Sequence, residues 1–169
     1  SQLAKPNVLG AVYRLRKKGG EVPLLAPAPQ RPALSHPDTP ALIEALTAAD
    51  PHIRREAAAR LGKGRVREAV PALLEALAQI GGDRFLFHAY TYALLEIGDP
   101  APTRRGLVHA NPLVQAGTLY ALEQMKSGGL TAAELLPLLN TADATLGAAG
   151  LFVLGRHRDW AAGALPWLS

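Results

Sequence analysis

From about residue 40 onward, apolar residues follow a helical spacing and one unit of sequence recurs. The unit consists of a Leu-rich first helix, a short turn with Asp or Asn, and a second helix of pattern D-P-x-Φ-R-x-x-A-x-x-x-L-G, where Φ is apolar. Copies of the second helix occupy residues 50–62, 111–122 and 143–155, with Ile53, Val114 and Leu146 in register. The steps between these three positions are 61 and 32 residues, which indicates two units in the first interval and four in all.

The same pattern predicts the ends of the helices. An Asp or Asn before a second helix can accept hydrogen bonds from its exposed amides, and a following Pro has helix-ready backbone geometry. First helices are predicted at residues 40–48, 68–77, 103–110 and 131–139, the third of them poor, and a long aromatic second helix at residues 83–98. Residues 160–168 are expected to begin a fifth unit. Left-handed glycines are expected to end three second helices, and one Leu of each second helix is expected to be buried between units: Gly62, Gly98, Gly155, and Leu61, Leu94, Leu122, Leu154.

The first 39 residues follow different patterns. Apolar and basic residues alternate from Val12 to Arg16, which predicts a β-strand. Residues 21–39 contain five prolines, which favour an extended linker. We therefore divide the chain into a terminal strand remnant of a preceding domain (1–20), a Pro-rich linker (21–39) and a helical repeat domain (40–169). An isolated strand has unpaired edges, so residues 8–16 are expected to self-associate or to pack along the helices.

Composition supports an all-α fold and narrows the chemistry. Hydrophobic residues make up 49% of the chain but aromatic residues only 5%, so the core must be mostly Ala, Leu and Val, as in closely packed helices. No apolar run approaches the roughly 20 residues of a membrane span. The chain has no cysteine, which excludes disulfides, thiolate zinc sites, a Cys nucleophile and covalent haem attachment within it. No cofactor is expected.

The net charge of +4 is distributed unevenly. Residues 1–20 contain five bases and no acid, so the other 149 residues carry 13 bases and 14 acids. This near-neutral body makes nucleic acid an unlikely partner for the repeats as a whole. One basic cluster stands out in residues 54–67, where a single acid, Glu56, accompanies six bases: Arg54, Arg55, Arg60, Lys63, Arg65 and Arg67.

With these motifs in view, residues 40–169 resemble short HEAT-like repeats of the kind found in phycobiliprotein chromophore lyases, chiefly through residues 50–62. That resemblance implies an α-solenoid of about four helical hairpins. Residues 10–16 (GAVYRLR) resemble the closing strand of a sugar-dehydrogenase-type β-propeller, of the kind fused to HEAT-like repeats in large exported bacterial proteins. This second resemblance implies a periplasmic or extracytoplasmic location.

Two groups of residues are candidate binding surfaces. The basic cluster suits either helix-supporting ion pairs or an acidic or phosphate-bearing partner, and the ion-pair interpretation is favoured. Aromatic residues crowd residues 83–98, with Tyr120 and Phe152 at comparable places in later second helices. Tyr90 and Tyr92 could belong to a groove for a partner, whereas the favoured interpretation places Phe85, Tyr90 and their neighbours in the seam between repeats. The five histidines lack metal-ligand spacing.

The sequence therefore favours a non-catalytic scaffold or protein-interaction module within a larger exported protein, joined to neighbouring domains or to a protein partner. Two alternatives stay open. A HEAT-like nucleic-acid-binding domain would use the basic cluster, and a chromophore-lyase-like activity would follow from fold analogy alone.

Overall fold

A computed structural model describes residues 38–160 and residue 163. These residues form α-helices and short 3-10 helices and contain no strand, so the all-α prediction is confirmed for this part of the chain. The α-helices are α1 (Thr39–Ala45), α2 (Pro51–Lys63), α3 (Val70–Ala78), α4 (Arg84–Ile97), α5 (Pro100–Thr103), α6 (Pro112–Gln124), α7 (Ala132–Leu139) and α8 (Ala144–Leu154). The 3-10 helices are Arg67–Ala69, Arg104–Val108 and Arg158–Trp160.

Several predictions concern residues beyond this range. The strand and self-association predicted at residues 8–16 lie outside the described residues, as do the strand remnant 1–20 and nearly all of the linker 21–39. Most of the predicted fifth unit at residues 160–168 is also outside them. Among the described residues, no helix combines the length and apolarity that crossing a membrane requires.

Side-chain caps begin the four second helices where the repeat pattern placed them, and a further cap, Asp38, begins α1. Asp38, Asp50, Asp83, Asn111 and Asp143 each accept backbone amide hydrogen bonds at a helix N-terminus, over donor–acceptor distances of 2.8 to 3.1 Å. These bonds satisfy amides that have no partner within the helix. The four second helices, α2, α4, α6 and α8, therefore begin as the sequence predicted.

Asn111 also joins two helices. Its Oδ1 accepts from Leu113 N at 2.9 Å, while its Nδ2 donates to the Ala78 carbonyl at the end of α3 over 3.2 Å. An Asp carboxylate has no such donor, so Asn serves this turn in a way that Asp could not.

The long helices contact one another in chain order, α2 with α4, α4 with α6, and α6 with α8, while α1, α3 and α7 pack on α2, α4 and α8. The predicted seam residues Leu61, Leu94 and Leu122 are at most 1% exposed. Leu154 was expected to join them but is only half-buried, and its neighbour Val153 is fully buried instead.

The glycine predictions are right at one position of three. Gly98 ends α4 in the left-handed region, with φ of 67°. Gly155 has φ of −63°, and Gly62 lies inside α2, which continues to Lys63. The left-handed residue after α2 is instead Arg65, with φ of 51°. Gly62 instead allows close packing of α2 on α4, because a Cβ there would lie 2.9 Å from Ala93 Cα.

The third first helix is as irregular as the sequence suggested. The four-residue α5 passes into the 3-10 helix Arg104–Val108, which packs on α6. Gly106 makes that contact possible, because a Cβ at this position would lie 2.0 Å from Thr118 Oγ1. Any side chain here would push the segment away from α6.

Arg104 and Glu134 connect this 3-10 helix to α7. Arg104 Nε donates to Glu134 Oε1 over 2.8 Å, and its Nη2 donates to the carbonyls of Gly128 and Gly129 at 2.6 and 2.7 Å. Glu134 Oε2 accepts from the amide and hydroxyl of Thr131 at 2.9 and 2.8 Å, which completes a capping box. One ion pair thus fixes the turn and the helix that follows it.

We predict that Arg104→Met lowers the free energy of unfolding by about 1–2 kcal/mol, because two carbonyls and a carboxylate lose a charged donor.

Burial tends to raise the pKa of Glu134, but hydrogen bonds from Thr131 and Arg104 outweigh it and hold the pKa below its usual range. A lowered folded-state pKa stabilises the fold above the unfolded value of about 4.3, and that stabilisation is lost as pH falls through the folded value.

Urea unfolding of the wild type and of Arg104→Met measures the first loss. Urea unfolding of the wild type and of Glu134→Gln at different pH values tests the stabilisation that comes from the lowered pKa of Glu134. The stability difference between them should be full near about pH 6 and should shrink towards about pH 3. A difference that stays constant over this range would contradict the role given to Glu134. Arg105→Met serves as the control for Arg104, since Arg105 is the exposed neighbour.

Candidate binding surface

The basic cluster divides into two parts along α2. Arg54 and Arg55 are half-buried near the start of the helix, where Arg54 Nη2 lies 3.5 Å from the Ala49 carbonyl. Helix-supporting ion pairs were the favoured interpretation of the basic cluster, but among the described residues Arg54 forms no ion pair. Arg54 instead lies near Tyr90: burial raises the pKa of the Tyr90 hydroxyl, and the positive charge of Arg54 opposes that rise. Arg54 is therefore part of the packing of α2 on α4.

The second part of the cluster lies at the other end of α2. Arg60 forms an ion pair with Glu56 one turn earlier in the helix. Lys63, Arg65 and Arg67 are exposed just beyond it. Of these three, Arg67 has the one ion-pair contact within the described range, at 3.9 Å from Asp99 Oδ2, and it is 76% exposed. The exposed cations thus lie together where α2 ends.

Tyr90 and Tyr92 face opposite environments although they are two residues apart on α4. Tyr90 is 1% exposed, and its hydroxyl donates to the Leu46 carbonyl over 2.7 Å, which attaches α4 to the end of α1. Tyr92 is 49% exposed and stacks on His88, with ring centroids 6.0 Å apart. Tyr90 therefore contributes to the core, and Tyr92 contributes to the surface.

An aromatic row crosses three successive second helices. The rings of Phe87 in α4 and Tyr120 in α6 meet edge to face with centroids 6.3 Å apart, and Tyr120 meets Phe152 in α8 at 5.2 Å. Arg156 lies over the Phe152 ring at 5.7 Å. Phe85 was expected in the core but is 58% exposed. The first pair is edge to face and the second is tilted by 54°, so each ring of the row contacts the next.

A cavity of about 440 Å³ opens along this row between α4 and α6. Its walls include Phe87, His88, Tyr92 and Tyr120, with Leu95 and Gln124 at one end. We call it the aromatic groove. Burial against its neighbours raises the pKa of the Tyr120 hydroxyl. The groove therefore offers flat apolar walls and a few polar atoms, the usual make-up of a recognition site.

Glu123 carries an interaction that motif reading missed. Its carboxylate accepts from Arg156 Nε at 2.7 Å and lies 2.8 Å from His157 Nε2, so it joins α6 to the end of α8. The His157 ring also stacks on Trp160 at 3.8 Å. The 33-residue offset from Glu123 to Arg156, near the repeat period, was the available signal.

Among the described residues, no group of three His, Cys, Asp or Glu side chains is arranged to hold a metal ion. A comparison of the chain with protein-family models and with curated proteins gave no match.

Proposed function

We propose that this chain is a non-catalytic module of HEAT-like helical hairpins, arranged as an α-solenoid, that binds a protein partner across the exposed face of its second helices. The chain-order contacts of α2, α4, α6 and α8 support the solenoid. The resemblance of residues 10–16 to a propeller strand supports a place within a larger exported protein.

The aromatic row is the observation that carries the proposal. Phe152 of the row is 39% exposed, and Phe87 and Tyr120 are half-buried. Tyr92, which lines the groove with Phe87 and Tyr120, is 49% exposed, and Leu151, next to Phe152 in the sequence, is 56% exposed. Single exposed apolar side chains are common, but a row across three helices makes a continuous patch. Aromatic side chains dominate protein–protein interfaces because they bury large areas with few rotatable bonds.

The ionisable groups that the fold brings together also favour a binding module. Glu123 bonds Arg156 and His157, and Glu134 bonds Arg104. Each of these contacts joins one helical unit to the next. In their observed arrangement these carboxylates hold the repeats together, which suits a scaffold.

Site-specific photo-crosslinking tests the proposal. A benzophenone amino acid placed at Tyr92 in the full chain, expressed in its native cells, should yield a discrete protein adduct. The same amino acid at Val108 is the control, because Val108 is 87% exposed and lies on a first-helix segment. Phe152→Ser should weaken the adduct at position 92. Equal adducts at both positions, an adduct to nucleic acid, or no adduct at position 92 would overturn the proposal.

A further inference from the structure

The aromatic groove adjoins a second cavity with different chemistry. This second cavity, of about 560 Å³, lies where α2, α4 and α6 end and is lined in part by Arg65, Arg67 and Lys126. We call it the basic cavity. Leu95 and Gln124 line both cavities, so the two meet along one edge. Together they form a composite groove that is aromatic at one end and cationic at the other.

The cations of the basic cavity are available to a ligand. Arg65 and Lys126 are exposed and form no ion pair within the described part of the chain, and Arg67 has only its 3.9 Å contact with Asp99. The acid in the cavity wall, Glu96, is half-buried, with Oε2 packed close to Gly62 of α2. The accessible charge at this end is therefore positive.

The backbone conformation of Arg65 also indicates a role for its side chain. Arg65 has φ of 51° and closes α2 through two bonds: its amide donates to the Gly62 carbonyl at 2.8 Å, and the Val66 amide donates to the Leu61 carbonyl at 3.0 Å. Where a helix ends in a left-handed residue, that residue is usually glycine, because the left-handed conformation strains any residue with a Cβ. A residue kept in such a conformation is a reason to look for a role for its side chain.

The near-neutral net charge does not oppose an acidic partner. Seven acids of the described chain cap helices or form close ion pairs, namely Asp38, Asp50, Asp83, Asp143, Glu56, Glu123 and Glu134. Glu44, Glu68 and Asp159 are exposed without such a role, but none of them lines the basic cavity. Exposed bases outside such pairs include Lys63, Arg65, Arg105 and Lys126. Complementary charge at an interface selects partners and speeds encounter.

Building on the proposed function, we infer that the composite groove binds a protein segment in which a bulky apolar or aromatic residue is followed by acidic side chains. The apolar residue fills the aromatic groove between Tyr92 and Tyr120, and the carboxylates reach Arg65, Arg67 and Lys126. Nucleic acid fits less well, because the cations occupy one end of the groove and duplex binding needs a row of phosphate contacts.

The test begins with a peptide array probed with the full chain. Each peptide carries one Trp, Tyr or Leu followed at varied spacing by two Glu, and matched peptides carry Gln or Lys in place of Glu. The strongest Glu peptide is then labelled with fluorescein and titrated in solution by anisotropy. Replacing its Glu by Lys should weaken binding by more than about tenfold, and added salt should weaken the Glu peptide alone.

Variants of the protein locate the binding site. Lys126→Glu should weaken the Glu peptide by about tenfold, whereas Arg105→Glu, an equal charge change outside the groove, should leave it unchanged. Tyr92→Ser should weaken the Glu and Gln peptides alike. Arg65→Gly should raise the melting temperature yet weaken the Glu peptide, which separates the strain at Arg65 from its contribution to binding.

The outcomes distinguish this inference from the proposed function. Equal effects of Lys126→Glu and Arg105→Glu, or equal binding of Glu and Lys peptides, would overturn the inference, while a specific adduct at Tyr92 would leave the proposed function standing. Absence of both the adduct and any peptide binding would overturn the two together. Tighter, Lys126-dependent binding of a labelled DNA duplex would assign the groove to nucleic acid instead.

Discussion

Replacing Leu61 or Leu122 by alanine is expected to lower the free energy of unfolding by about 2–5 kcal/mol. Both side chains are at most 1% exposed, and they lie on α2 and α6, each of which contacts α4. Truncation removes apolar contacts and leaves a cavity that close-packed helices fill only in part. Chemical unfolding followed by circular dichroism at the helical band gives the free-energy change.

The matched control is Leu151→Ala on α8. Leu151 is 56% exposed, so the same chemical change removes few contacts and should cost less than about 0.5 kcal/mol. Losses below about 1 kcal/mol at both Leu61 and Leu122 would show that the seam residues have been misplaced.

The second large effect is expected at Gly62, and its sign opposes helix propensity. Alanine is favoured over glycine inside a helix by about 1 kcal/mol. A Cβ at position 62, however, would lie 2.9 Å from Ala93 Cα and 3.3 Å from Ala93 Cβ. A side-chain rotation cannot relieve this overlap, because Cα belongs to the backbone. Gly62→Ala must therefore separate α2 from α4 and should destabilise the fold by about 1–3 kcal/mol.

Gly147 in α8 provides the opposite case. A Cβ there would meet only Thr141 Cγ2, at an unstrained 3.9 Å. The effect of Gly147→Ala should then reflect helix propensity alone, and the substitution should raise the free energy of unfolding by up to about 1 kcal/mol. If Gly62→Ala also raised stability, the close approach of α2 to α4 would be wrong.

The beginnings of the helices were predictable because they depend on local chemistry. A cap needs only an oxygen-bearing side chain and the next two or three amides, so Asp50, Asn111 and Asp143 located α2, α6 and α8 within a residue or two. The repeat period then implied the helix between the first two. The broken third unit was also foreseen, since few residues there favour a helix.

Contacts between helices were harder to predict. Gly62 fits a helix end by local rules, but its contact with Ala93 comes from a residue 31 positions away. Leu154 follows the spacing of Leu61 and Leu94, yet burial depends on which neighbour covers the position. At the end of α8 Val153 takes the covered place. Burial and close approach at these positions depend on tertiary contacts, which the sequence of a single repeat does not reveal.

The candidate surface shows the same division. The sequence indicated an aromatic helix and a basic cluster, and its favoured interpretation placed Tyr90 in the seam, which is confirmed, while the alternative grouped Tyr90 with Tyr92 in a partner groove. Hydrogen bonding of Tyr90 to Leu46, 44 residues earlier, decides the matter. Lys126 had no role in the sequence-based site at all. It joins Arg65 and Arg67 only because α2 and α6 end in the same region.

The use of most acids as caps and ion-pair partners has a kinetic consequence. Electrophoresis and ion exchange respond mainly to net charge, and the helical body is close to neutral. Diffusional encounter responds to the local potential, which is positive where Arg65, Arg67 and Lys126 lie together. An approaching acidic molecule would thus be turned towards this end of the groove before contact. Its association rate constant should fall steeply with ionic strength even though residues 21–169 carry nearly equal numbers of bases and acids, 13 and 14.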